Sequence, residues 1–109
     1  MSTLSTHVLD TALGKPAEGV PVKLTRLKPA VLTLGNGTTD HDGRIGSLTD
    51  KELIAGTYQL TFDTAAYARA TDQDTFFPEV TVTFLIGDER HYHVPLLLSP
   101  FAFSTYRGS

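Results

Sequence analysis

His91 and His93 stand two residues apart in His91-Tyr92-His93-Val94-Pro95-Leu96-Leu97-Leu98, a stretch whose alternation is that of a β-strand. Side chains at i and i+2 of a strand share a face, about 6.5–7 Å apart. His91 and His93 are therefore expected to look the same way, with Tyr92, Val94, Leu96 and Leu98 forming the opposite, core-facing row. His7 sits in Leu4-Ser5-Thr6-His7-Val8-Leu9. If Leu4, Thr6 and Val8 point inward there, Ser5, His7 and Leu9 point out. Should this strand lie near that of His91 and His93, three imidazoles converge on one sheet face. The chemistry that suits them is general acid–base catalysis, because free imidazole titrates near a pKa of about 6.5. A second chemistry is zinc, which three neutral imidazoles and a water can hold, although no carboxylate offers itself as a fourth ligand. A solitary surface histidine is ordinarily just solvated, and it is the pair on one strand face that argues for a role.

Arg44 follows Asp40-His41-Asp42-Gly43. Asp-Gly marks a turn, after which an arginine is often merely solvated. Starting a strand and aimed into a cleft, the same guanidinium suits an oxygen-rich substrate or a developing oxyanion. The tail Tyr106-Arg107-Gly108-Ser109 combines an aromatic ring, a cation and a hydroxyl. Such tails usually fray, but this one has the groups to close a site. There is no glycine-rich phosphate loop and no Gly-x-Ser-x-Gly nucleophile elbow. Asp72 and Asp74 lack the spacing of a calcium loop, and His41 is assigned no role.

Composition narrows the classes. The formal net charge is -3 and the charges are scattered, so nothing points to nucleic acid. No polybasic or amphipathic segment suggests a membrane surface, and no apolar run approaches the roughly 20 residues of a span. With no cysteine, disulfides, thiolate ligands and a cysteine nucleophile are excluded together. The opening Met-Ser-Thr-Leu-Ser-Thr-His lacks the pattern of a secretory signal, which makes the cytoplasm the expected compartment. At 109 residues the chain is expected to be one domain spanning 1–109. A domain of that size has no roomy interior, so its site is expected in a surface cleft or between subunits.

The elements that must hold these residues are strands. Val20, Val22 and Leu24 alternate with polar neighbours, as do Tyr58, Leu60 and Phe62, and Val80, Val82, Phe84 and Ile86. Turn signals separate the runs at Gly14-Lys15-Pro16, Gly35-Asn36-Gly37, Asp42-Gly43 and Pro100. Gly87-Asp88 reads as a hairpin turn between the two strands flanking it. One alanine-rich segment, Asp63 to Ala70, reads as a short helix of about two turns with Asp63 or Thr64 as its N-cap. Short, evenly punctuated strands make the fold class all-β, a β-sandwich.

Taken together, these segments resemble one family. Leu4-Ser5-Thr6-His7-Val8-Leu9-Asp10 with Gly14-Lys15-Pro16-Ala17, then Asp42-Gly43-Arg44, then Phe76-Phe77-Pro78-Glu79, and above all His91 through Pro100 leading into Ser104-Thr105-Tyr106-Arg107-Gly108-Ser109, are similar to the 5-hydroxyisourate hydrolases. These are the transthyretin-like enzymes of urate breakdown, and the resemblance covers essentially the whole chain. It implies a transthyretin-like sandwich of two sheets and about eight strands, with a short helix after the fifth and Phe76-Phe77-Pro78-Glu79 ahead of the sixth. It implies a homotetramer, a dimer of dimers, with sites in the cleft between dimers. No cofactor, metal, nucleic acid or membrane partner is implied; the partner is the small molecule 5-hydroxyisourate. The family's catalytic set falls on His7, Arg44 and His93, with Ser109 from the tail, and substrate contacts fall on His91, Tyr106, Arg107 and Gly108. Phe101-Ala102-Phe103 stands where relatives often show Tyr-Gly-Tyr, which removes two hydroxyls near the cleft. Transthyretin shares the fold but is a carrier, so a binding protein without catalysis is the alternative.

Overall fold

The computed structural model describes residues 3–88 and 90–108. Nine strands and one helix follow in the order β1 (Thr3–Asp10), β2 (Lys15–Pro16), β3 (Pro21–Lys28), β4 (Leu32–Thr38), β5 (Arg44–Ile45), β6 (Gly56–Phe62), α1 (Thr64–Ala70), β7 (Val80–Ile86), β8 (His91–Ser99) and β9 (Ala102–Thr105). Setting aside the two-residue β2, eight strands remain, the helix follows the fifth, and Phe76-Phe77-Pro78-Glu79 precedes the sixth.

The strands form two sheets. One runs β4-β3-β6-β7, antiparallel throughout. The other runs β2-β1-β8-β9, with β5 also pairing β1. β1 and β8 are parallel and in register from Thr3↔His91 to Asp10↔Leu98. The period-two patterning explains the packing. Leu4, Val8, Tyr92, Val94, Leu96 and Leu98 of one sheet are buried in the same core as Val22, Leu24, Tyr58, Leu60, Phe62 and Val80 of the other. The odd-numbered residues of β1 and β8 are left to line the outer face, where the histidines lie.

Two polar features lock the frame. Asp10 is buried, yet its carboxylate accepts from Tyr67 Oη at 2.6 Å, Gln73 Nε2 at 3.0 Å and the Leu13 amide at 2.9 Å. Burial works to raise its pKa, but these donors together hold it below the ordinary carboxyl value, so a charged group ties β1 to α1. Asp63 caps α1 by accepting from the Ala66 amide at 3.0 Å.

Two expectations are corrected. Gly35-Asn36-Gly37 does not separate two runs but lies within β4, paired with Leu24, Lys23 and Val22 of β3. Gly87-Asp88 does not close a hairpin: β7 and β8 belong to different sheets, and the connection crosses between them. The amides of Gly87 and Asp88 both donate to Tyr92 Oη at 3.1 Å, and that hydroxyl donates to Asp88 Oδ1 at 2.7 Å. Glycine and aspartate mark a reversal of the chain; they carry no information about which sheet receives the next strand.

Candidate active site

The outer face of the β5-β1-β8 array gathers the histidines and the arginine. The parallel register sets Ser5 beside His93 and Thr3 beside His91, with His7 one step further along β1 beside Pro95. Across the other edge of β1, the antiparallel register sets Arg44 opposite His7. Cross-strand partners share a face, so His7, Arg44, Ser5, His91 and His93 come together although up to 88 residues separate them in sequence.

Each imidazole is held. His7 Nε2 lies 2.9 Å from the carbonyl oxygen of Asp42. A carbonyl only accepts, so that nitrogen carries the proton, and in neutral His7 the lone pair is on Nδ1. Ser5 Oγ lies 2.8 Å from His93 Nδ1 and 2.8 Å from His91 Nε2. Thr3 Oγ1 lies 2.5 Å from His91 Nδ1. The His91 and His93 rings are stacked, with centroids 6.5 Å apart and planes 21° from parallel. His93 Nε2 has no hydrogen-bond partner among the described residues. Burial first, then the charges of Arg44, His7 and His91, hold the His93 pKa below its ordinary value of 6.5, so the ring is kept in its neutral form, with a lone pair able to accept a proton.

The turn before Arg44 is built by two constraints. Asp40 Oδ1 accepts from the amides of Asp42 at 2.9 Å and Arg44 at 3.0 Å. Gly43 adopts φ 74°, and a Cβ there would lie 2.3 Å from the Val8 carbonyl oxygen, so only glycine fits. The Val8 amide donates to the Gly43 carbonyl at 2.7 Å and docks this turn onto β1.

The tail divides. β9 pairs β8 as far as Leu96↔Thr105, and the chain rejoins it at His93↔Gly108 in the same register. Pro95, with no amide hydrogen to give, stands in the gap. The Gly108 amide donates to the His93 carbonyl at 2.8 Å. A Cβ on Gly108 would come 2.5 Å from His93 Cδ2, so this glycine lets the tail lie against the imidazole. The Arg107 guanidinium carbon sits 4.7 Å from the centre of the Tyr92 ring. Arg107 and Tyr106 line, with His93, Val82, Phe84 and Tyr92, an apolar cavity of about 240 Å³. Ser109 lies outside the described residues.

The zinc arrangement does not fit. The nitrogens of His7, His91 and His93 do not gather within reach of one ion; among the described residues only the exposed Asp40, His41 and Asp42 bring three ligand atoms within 4.8 Å of one another. The hydroxyl partners Ser5 and Thr3 escape a reading of the sequence. Ser5 shares the outward parity of His7, but only the β1–β8 register puts it between two rings.

Known proteins share this arrangement of sequence and fold. Residues 4–108 match the model of the HIUase/Transthyretin family. The chain is 47% identical over 113 residues to the 5-hydroxyisourate hydrolase of Mus musculus, covering 99% of this chain and 96% of that one. The structure of Klebsiella pneumoniae 5-hydroxyisourate hydrolase superposes with a TM-score of 0.89 at 43% identity, covering 100% of this chain and 94% of that one. Sea bream transthyretin in complex with thyroxine also superposes with a TM-score of 0.89, at 33% identity, covering 97% and 94%. With residues 4–108 matched by the family model and 99% of the chain covered by a relative 47% identical to it, the chain belongs to the HIUase/Transthyretin family.

Proposed function

We propose that this protein hydrolyses 5-hydroxyisourate to 2-oxo-4-hydroxy-4-carboxy-5-ureidoimidazoline, a step of urate breakdown. The observation that carries the reading is the register that sets Ser5 beside His93 and Arg44 opposite His7, on one face. His93, with a depressed pKa and a free Nε2, is the general base that takes a proton from water. His7, its Nε2–H committed to the Asp42 carbonyl, stands beside it with a lone pair at Nδ1. The water oxygen bonds to a ring amide carbon, the C–N bond breaks, and the proton held on the imidazole passes to the departing nitrogen. Arg44 anchors substrate oxygens and stabilises the oxyanion. Gly108 allows the tail to approach, His91 and Tyr106 contribute to the walls, and Arg107 and Ser109 position substrate or water. No step calls on a metal or cofactor.

The site face is open in one chain, with Arg44 and His91 exposed. A homotetramer, a dimer of dimers, closes it by placing a second subunit opposite, and the protein works in the cytoplasm. Sea bream transthyretin binds thyroxine on the same fold, but the convergence of imidazoles and arginine favours catalysis over carriage. The test is the loss of 5-hydroxyisourate generated in situ from urate, followed by ultraviolet absorbance with and without chelator. Decay well above the spontaneous rate and indifferent to chelator is expected. Decay at the buffer rate from folded protein overturns the reading in favour of a binder.

A further inference from the structure

The hydroxyl of Ser5 sits between two imidazoles, and its single proton can serve only one of them. Its oxygen is 2.8 Å from His93 Nδ1 and 2.8 Å from His91 Nε2, and His91 Nδ1 is 2.5 Å from Thr3 Oγ1. Each of these three hydrogen bonds needs one donor. With neutral rings, each imidazole has one N–H and one lone pair, so only two proton arrangements satisfy the chain. In one, Thr3 donates to His91, His91 to Ser5 and Ser5 to His93 Nδ1, which leaves the His93 proton on Nε2. In the other, all three bonds are reversed: His93 Nδ1–H donates to Ser5, Ser5 to His91 Nε2, and His91 Nδ1–H to Thr3. Only the second leaves a lone pair on His93 Nε2, the nitrogen with no partner among the described residues.

We infer that Ser5 is a positioning residue which, backed by His91 and Thr3, holds His93 with its proton on Nδ1 and its lone pair on Nε2. The inference deepens the hydrolase reading and rests on it for the need of a base. It gives His91 a defined part as the acceptor of the Ser5 proton. When Nε2 takes a proton from water, the new imidazolium donates through Nδ1 to Ser5, whose own proton already points to His91, so the chain polarises without a bond having to turn. The water oxygen goes to the substrate carbon, and the proton on Nε2 later leaves with the ring nitrogen.

The test is side-chain ¹⁵N NMR of the substrate-free full chain, which reads the tautomer of His93 directly, combined with steady-state turnover. Wild-type His93 is expected as the Nδ1–H tautomer. Ser5→Ala is expected to move it to Nε2–H and to lower kcat about tenfold or more with KM unchanged, a part of the roughly 10²–10⁴ that a placed base supplies. Ser5→Thr keeps the hydroxyl and is expected to restore both, which separates the effect from damage to the strand. A wild-type Nε2–H tautomer, or a Ser5→Ala variant with an unmoved tautomer, overturns the inference whatever the turnover. A shifted tautomer with unchanged kcat overturns the positioning role. Wild-type protein that shows the Nδ1–H tautomer but hydrolyses nothing defeats the hydrolase reading while upholding the assignment of the proton.

Discussion

At the scale of the residue, His93 is half-buried beside Arg44, His7 and His91, and each of these surroundings disfavours its protonated form. The sign follows. The unfolded histidine takes its proton near pH 6.5, whereas the folded one resists until lower pH. The acid limb of kcat/KM is therefore expected below pH 6.5. The stability contributed by this group is complete above that pH and is lost as pH falls through the folded pKa. Arg44→Met removes one of the opposing charges, so the His93 midpoint is expected to move up toward 6.5 in an NMR titration, a readout that needs no activity. His93→Asn keeps the shape but removes the base. It is expected to lower turnover by about 10²–10⁴ while sedimentation shows the same assembly as wild type; unchanged activity sinks the assignment.

At the scale of the element, the site depends on short pieces that could not be stable by themselves. β5 is two residues long and is held by the Asp40–Gly43 turn, itself docked on β1 through the Val8 amide. Gly43→Ala puts a Cβ against the Val8 carbonyl at a positive φ. A cost of about 2 kcal/mol is expected from the left-handed conformation alone, seen as a lower Tm. Turnover should fall further than the stability loss accounts for, because Arg44 leaves its place opposite His7. A Gly43→Ala protein with wild-type Tm would show that the turn relaxes freely. On the other side of the site, the gap at Pro95 is what lets the tail leave β8 and return at His93.

At the scale of the whole molecule, one chain supplies a wall rather than a pocket. Arg44 and His91 are exposed, and the cavity lined by Tyr106 and Arg107 is bordered by His93 but not by His7, His91 or Arg44. If a second subunit completes the cleft, specific activity is expected to fall on dilution through the dissociation range, in step with the oligomer fraction measured by sedimentation. Constant specific activity across that range would place the whole site within one chain.

Much of this molecule is legible in its amino-acid sequence. Period-two patterning determines that His91 and His93 share a face, that His7 points outward from β1, and that Tyr92, Val94 and Leu96 point in, because side-chain direction along a strand is a local property. Alanine content and Asp63 locate the helix for the same reason. The motifs, spread over the whole chain, carry the family. What the sequence leaves open is every fact about neighbours. The parallel pairing of β1 with β8, the slotting of Ser5 between two rings, the turn of Arg107 onto Tyr92 and the crossing of Gly87-Asp88 to the other sheet all join residues through space. Strand pairing is chosen by how both sheets bury their apolar faces at once, a condition on the whole molecule that no local run of residues records.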